Sequence, residues 1–286
     1  MSEPIDCNKE QVLNRLKSGY SEFDRVLGGG LVPGSLVLVG GDPGIGKSTL
    51  LLQSATNMAL NQSVLYVSAE ESSQQVRLRW GRLEGSTSKL QLLAETSLEL
   101  IVRELETLKP DVAIIDSIQA LHNQHLSGAP GSVGQVRECA SELQRLAKQQ
   151  NTSLLLVGHV TKEGMLAGPK VLEHLVDVVL TFEGDRYASH RLLRAVKNRY
   201  GATHELGIFE MQANGLAEVK NPSEIFLNRK TAAGIATIVA CEGNRSIAVD
   251  LQALISSTTY ASPRRTATGV ETNRLHQILA VLEKHM

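Results

Sequence analysis

The chain has 286 residues, 42% of them hydrophobic and 21% charged, which excludes a disordered or collagen-like polymer and gives one or two domains with a core that needs no staples. A net charge of −1 draws the protein to neither nucleic acid nor membrane as a whole, so any DNA site has to be a local patch. With 24 glycines and only 3% aromatic residues, the composition suits an α/β enzyme better than a β-sandwich. Cys7, Cys139 and Cys241 are scattered and form no CxxC, so neither a disulfide framework nor a zinc ribbon is supported, and zinc is not expected. The start lacks a basic-then-apolar leader, and no apolar run approaches the ~18 residues of a span. A cytoplasmic protein away from the membrane is expected.

Residues 1–18 read as a polar lead-in. Ser21 is expected to cap a short helix carrying Phe23, Val26 and Leu27, which Gly28-Gly29-Gly30 stops. Pro33-Gly34 turns into a buried-type strand over 35–40. A glycine-rich loop leads into a helix from Lys47 to about Leu60. Strands follow at 64–68, 90–93, 111–116 and 153–158, alternating with helices at 72–84, 97–107 and 132–149. That alternation predicts a parallel sheet covered on both faces. From about 175 the spacing tightens. Short strands at 176–182, 191–196 and 206–211 suggest an antiparallel extension, and Asn221-Pro222 marks a linker. Two strands, 236–240 and 246–251, and a helix at 271–284 complete the chain.

Gly41-Asp42-Pro43-Gly44-Ile45-Gly46-Lys47-Ser48 fits GxxxxGK[ST], with Thr49 following. The glycines let successive N–H groups turn toward a β-phosphate, Lys47 supplies a point charge, and the Ser48 hydroxyl suits Mg²⁺. Strand before and helix after are the context this loop requires, so ATP or ADP with Mg²⁺ is expected. Asp116 closes a strand where a carboxylate holds the water shell of that metal; otherwise it caps a turn. Glu70 and Glu71 end another strand, and either could orient the attacking water, with helix N-terminal charge the other reading, more so for Glu71. His159 follows the strand 153–158 and is either a γ-phosphate sensor or a structural residue. Arg186, Arg191, Arg194, Lys197 and Arg199 put five cations into fourteen residues. Such a run is usually a solvated face. Lys197 and Arg199 nevertheless share one side of a strand end before Gly201, an arrangement that suits insertion into a neighbour's phosphate site.

The assembled motifs resemble the RadA (Sms) family of bacterial DNA-repair and recombination ATPases in the RecA superfamily. They include Glu22-Phe-Asp-Arg-Val-Leu-Gly-Gly-Gly30, the phosphate loop, Tyr66-Val-Ser-Ala-Glu-Glu-Ser72, Ile115-Asp-Ser-Ile-Gln119, Pro130-Gly-Ser-Val-Gly-Gln-Val-Arg-Glu138, Gly158-His-Val-Thr-Lys-Glu-Gly164, Leu166-Ala-Gly-Pro-Lys-Val-Leu-Glu-His174 and Lys197-Asn-Arg-Tyr-Gly201. The resemblance runs from about residue 18 to the end. It implies a RecA-like P-loop core over 19–220, mostly parallel with helices on both faces and an antiparallel extension, then a partial α+β segment like Lon protease over 223–286. It implies Glu70 as the hydrolytic base, His159 as γ-phosphate sensor, and Lys197 and Arg199 as fingers offered in trans within a hexameric ring. Loops near 120–134 and 161–172, the second with Lys162 and Lys170, would touch single-stranded DNA at the ring's centre. Single-stranded DNA, branched recombination intermediates and the recombinase RecA are the implied partners.

Two departures stand out. The family's four-cysteine zinc finger has no counterpart here, and its terminal domain is matched only at its start, so a fragment, an engineered core or a short relative is expected. No Ser–Lys protease pair is arguable from Ser256, Ser257 or Lys284. A motor promoting branch migration is the leading expectation. A nucleotide-gated assembly module and a filament-forming strand-exchange protein are the alternatives. The basic strand and loop composition weigh against the former, and the Lys197/Arg199 pair against the latter.

Overall fold

A computed structural model describes residues 14–83, 89–159, 169–184, 189–227, 232–257, 259 and 264–285, with the backbone alone at 169 and 170. The elements run α1 (Ser21–Val26), β1 (Leu36–Gly41), α2 (Lys47–Met58), β2 (Val64–Ser68), α3 (Ser73–Arg82), β3 (Leu90–Ala94), α4 (Leu98–Leu108), β4 (Val112–Asp116), α5 (Val133–Gln150), β5 (Ser153–His159), α6 (Pro169–Leu172), β6 (Val178–Glu183), β7 (His190–Asn198), β8 (Leu206–Gln212), β9 (Gly215–Glu218), α7 (Ser223–Phe226), β10 (Ile235–Glu242), β11 (Arg245–Gln252) and α8 (Thr272–His285). Among the described residues one sheet has the order β3-β2-β4-β5-β1-β6-β7-β8-β9, and β10 and β11 form a separate hairpin.

Strand residues alternate between two apolar layers, as a strand's period of two requires. Val37, Val39, Tyr66, Ile114 and Val157 join the layer containing Leu50, Leu51 and Val76 of α2 and α3. Leu36, Leu38, Leu65, Ile115 and Leu156 join the layer containing Ile101 and Leu143 of α4 and α5. Each buried Leu or Val contributes about 1.5–3 kcal/mol of transfer free energy, so both layers must be covered. Local caps agree with this plan. Ser72 and Gln75 form a reciprocal capping box on α3, and Ser97 caps α4 by accepting from the Leu100 N–H.

Three sequence expectations change. The N-cap of α1 is Tyr20, with Ser21 as the first helical residue; the Ser21 hydroxyl donates instead to Glu218 on β9. The strand at 178–183 is not part of the antiparallel extension. It pairs parallel with β1, Val37 opposite Val178, and the reversal begins only at β7. β9, which the sequence reading passed over, adds a last antiparallel strand to β8. Its signal was present in Asn214-Gly215, a pair suited to a tight hairpin turn.

The hairpin β10–β11 meets the main sheet through Ile247, which packs with Leu206 and Ile208. Glu242 accepts from Arg194 at 2.6 Å, and Arg245 pairs with the buried Glu22. α8 buries none of its residues.

Candidate nucleotide-hydrolysis site

The ends of β1, β2, β4 and β5 meet at the carboxyl edge of the parallel strands, beside the strand-order switch where α/β sheets bind ligands. β1 delivers Gly41, and the chain turns through Asp42, Pro43, Gly44 and Ile45 to Gly46 at the start of α2. Gly46 has φ +118°, which favours glycine, and a Cβ there would lie 2.9 Å from the terminal methyl of Met211 of β8. No side chain caps α2, which leaves its first N–H groups for an anion. Lys47 is 4% exposed, and its ammonium donates to the carbonyls of Gly41 and Asp42, each at 2.9 Å. Burial lowers its pKa, against the pull of Asp116, Glu70 and Asp42.

Lys47, Ser48, Thr49, Glu70, Asp116 and His159 line one cleft of about 310 Å³, with Pro43, Gly44 and Gly46 at its wall. The Glu70 carboxylate accepts from the Ser117 hydroxyl and lies 3.0 Å from Nε2 of His159. The His159 hydrogen bond is the first reason its pKa sits below the usual glutamate value, and Ser117 and Lys47 add to it against partial burial. Glu71 is placed differently: its carboxylate pairs with Arg79 of α3. Glu71 and Arg79 line the same cleft; the two neighbouring glutamates differ in their partners, Glu70 bonding Ser117 and His159 and Glu71 pairing with Arg79. Asp116 is 7% exposed and accepts from the Tyr66 hydroxyl at 2.6 Å. Burial, then the Asp116 charge, raises the Tyr66 pKa well above the usual phenol value, so this group remains a donor. Ser48 and Asp116 offer oxygen ligands in the same cleft, a hydroxyl and a carboxylate. Among the described residues no group of three His, Cys, Asp or Glu could hold a metal by itself. That donor set fits a hard cation that arrives with phosphates and keeps its water, as Mg²⁺ does.

The AAA domain family matches residues 3–165, more than half of the chain. The chain belongs to the AAA domain family. Its curated relatives carry the resemblance read from the motifs. It is 58% identical to the DNA repair protein RadA of Synechocystis sp. over 97% of this chain and 59% of that protein. It is 54% identical to the RadA of Streptococcus pneumoniae over 95% of this chain and 65% of that protein, and 52% identical to the RadA of Halalkalibacterium halodurans over 99% and 63%. The chain thus spans about 59–65% of the length of these relatives. Two solved structures share the fold: a KaiC-like protein of Pyrococcus horikoshii, with a TM-score of 0.58 at 20% identity over 72% of this chain and 99% of that one, and the ATPase domain of G40P, at 0.60 and 13% over 73% and 92%. The architecture is the RecA-like P-loop ATPase fold.

Two residues expected to act at a nucleotide site lie outside the cleft. Lys197 and Arg199 sit at the opposite, amino edge of the parallel strands. There Asn198 pairs with Val178, the first residue of β6. Lys197 donates to the carbonyls of Glu173 and Val176, and Arg199 pairs at 3.0 Å with Asp177, whose other oxygen accepts from the Leu36 N–H at the start of β1. Five residues of β1 separate that contact from Gly41, roughly 17 Å of extended chain. Gly201 packs backbone to backbone on Gly28, where a Cβ at 201 would fall 2.9 Å from the Gly28 Cα. Arg191, 6% exposed, donates to the Ile45 carbonyl of the phosphate loop at 3.1 Å, and Arg194 pairs with Glu183 and Glu242, so these cations act within the chain. Arg186 lies outside the described residues.

The loop at 120–134 is exposed over 124–130 and is organised by Gln135, 1% exposed. Its amide donates to the carbonyls of Asn123, Leu126 and Gly128, and its oxygen accepts from the Asn123 N–H. Most of the loop at 161–172, including Lys162, lies outside the described residues, and Lys170 is described only by its backbone. Sequence reasoning assigned no role to Tyr66, Arg79, Ser117, Gln135 or Met211. Tyr66 and Ser117 gain one through partners about fifty residues away, whereas Arg79 and Gln135 bond within twelve residues.

Proposed function

We propose that the chain binds ATP with Mg²⁺, hydrolyses it, and couples the cycle to movement along single-stranded DNA in a homo-oligomeric ring, promoting branch migration of recombination intermediates alongside a RecA-type recombinase. The observation that carries this reading is the convergence of Lys47, Glu70, Asp116 and His159 on one cleft at the end of the phosphate loop. Phosphoryl transfer to water passes through a loose transition state in which positioning and charge stabilisation supply most of the acceleration. Lys47 and the α2 N-terminus bind the β- and γ-phosphates. Glu70, kept ionised by His159 and Ser117, orients the water and accepts its proton. His159 reports the γ-phosphate, because any displacement of its ring alters the bond to Glu70. Ser48 and Asp116 would hold Mg²⁺, which when bound neutralises charge across the phosphates.

The roughly 17 Å between the amino edge and the phosphate loop keeps Lys197 and Arg199 from their own site, which supports their service to a neighbour's. Residues 223–286 are taken, on the same resemblance, as the start of a domain like that of Lon protease. ATP hydrolysis measured with and without single-stranded DNA tests the reading: stimulation by DNA is expected, and its absence favours the assembly-module alternative. That alternative draws its support from the cations of β7, which the chain uses internally.

A further inference from the structure

The site contains a buried hydroxyl that packing alone does not explain. Tyr66 is 1% exposed and its ring belongs to the apolar layer under α2 and α3, a position a phenylalanine would fill equally well. Register places Tyr66 opposite Ile114 and Ser68 opposite Asp116, so the ring runs along the sheet past two residues to bring its hydroxyl to Asp116. The bond to Oδ2 is 2.6 Å long, and both groups are buried. A carboxylate at a strand end turns easily about its last torsion. A fixed donor on one oxygen removes that freedom and leaves Oδ1 for another partner.

We propose that Tyr66 is a positioning residue for the metal half of the site, holding Asp116 so that its second oxygen receives the water shell of nucleotide-bound Mg²⁺. This deepens, and rests on, the nucleotide-hydrolysis reading. Groups that orient a metal's ligands typically change metal affinity 10–100-fold when removed. Phenylalanine keeps the ring and deletes only the oriented donor.

The experiment is a titration of Mg²⁺ against binding of a fluorescent mant-labelled ADP, in the wild type, Tyr66→Phe, Asp116→Asn and the double variant. Tyr66→Phe is expected to raise the half-saturating Mg²⁺ concentration about tenfold, to leave Mg²⁺-free nucleotide binding and the melting temperature near wild type, and to add nothing in the Asp116→Asn background. An unchanged Mg²⁺ requirement overturns the proposal. So does a shift that persists undiminished in Asp116→Asn, or a loss of affinity equal with and without Mg²⁺, since either shows a role in packing rather than through Asp116. If the wild type binds no mant-ADP at any Mg²⁺ concentration, the nucleotide reading itself fails and this inference with it.

Discussion

The two edges of the parallel strands handle charge in opposite ways. At the carboxyl edge Lys47, Glu70 and Asp116 face a shared cleft, and the lysine's ordinary counter-ions stand across it. At the amino edge Asp177, 2% exposed, is satisfied twice over, by Arg199 and by the Leu36 N–H, while Lys197 is held by two carbonyls. The first edge keeps its electrostatics available for an incoming polyanion. The second pairs its charges locally, with the Arg199 side chain half-exposed and Lys197 partly so. Charge count along the sequence therefore misleads: the five-cation run is the denser cluster, yet the sparser set forms the chemical site.

Substitutions at each edge break or sharpen this contrast. The largest effect is expected from Lys47→Ala, which removes the buried ammonium beside the phosphate loop and should reduce ATP hydrolysis to background in a steady-state assay. Near-normal turnover would mean the carboxyl edge is not the site. Next comes Lys197→Ala, expected to lower hydrolysis on the order of 10³-fold while the melting temperature stays close to wild type, because fingers in trans act on the transition state. Mixing it with Lys47→Ala subunits should restore part of the activity, since some interfaces then unite an intact loop with an intact finger. Mixed oligomers without recovery would assign Lys197 to its own amino edge alone.

Within the carboxyl edge, Glu70→Gln should retain nucleotide binding and lose turnover on the order of 10²-fold, whereas Glu71→Gln loosens Arg79 and should change turnover less than about threefold. The reverse ranking would exchange their roles. His159→Ala removes the main influence that depresses the Glu70 pKa. With the base's pKa raised, the acid limb of the rate profile should move to higher pH; a limb that stays in place would separate His159 from Glu70. The smallest effect is expected from Gln135→Leu. It leaves both edges intact and loosens the loop at 120–134, so basal hydrolysis should persist while DNA stimulation falls about fivefold.

Much of the carboxyl edge was legible in the sequence because the signals there are local. The phosphate loop needs only its glycine spacing. The strands at 64–68, 111–116 and 153–158 announce themselves as apolar runs, and Glu70, Asp116 and His159 stand at or just past their ends. The amino edge was not legible, because its chemistry is made of partners far apart. Nothing near Arg199 names Asp177, and nothing near Arg191 names the Ile45 carbonyl. The direction of β6 escaped for a related reason: a six-residue apolar strand reads the same whether its neighbour runs with it or against it. Tyr66 looked like core, which its ring is; only the register between β2 and β4 gives its hydroxyl a destination.

β7 joins the two edges. Arg191 near its start grips the carbonyl of Ile45, and Lys197 near its end stands at the opposite edge, six residues and about 20 Å away. β7 is paired on both sides from His190 to Arg194, and a bulge at Val196 interrupts its register with β6 before Lys197. That bulge lets Ala195 face the core while Lys197, two residues on, turns to the carbonyls of Glu173 and Val176. One strand thus carries a contact to the phosphate loop at one end and a contact to the amino edge at the other.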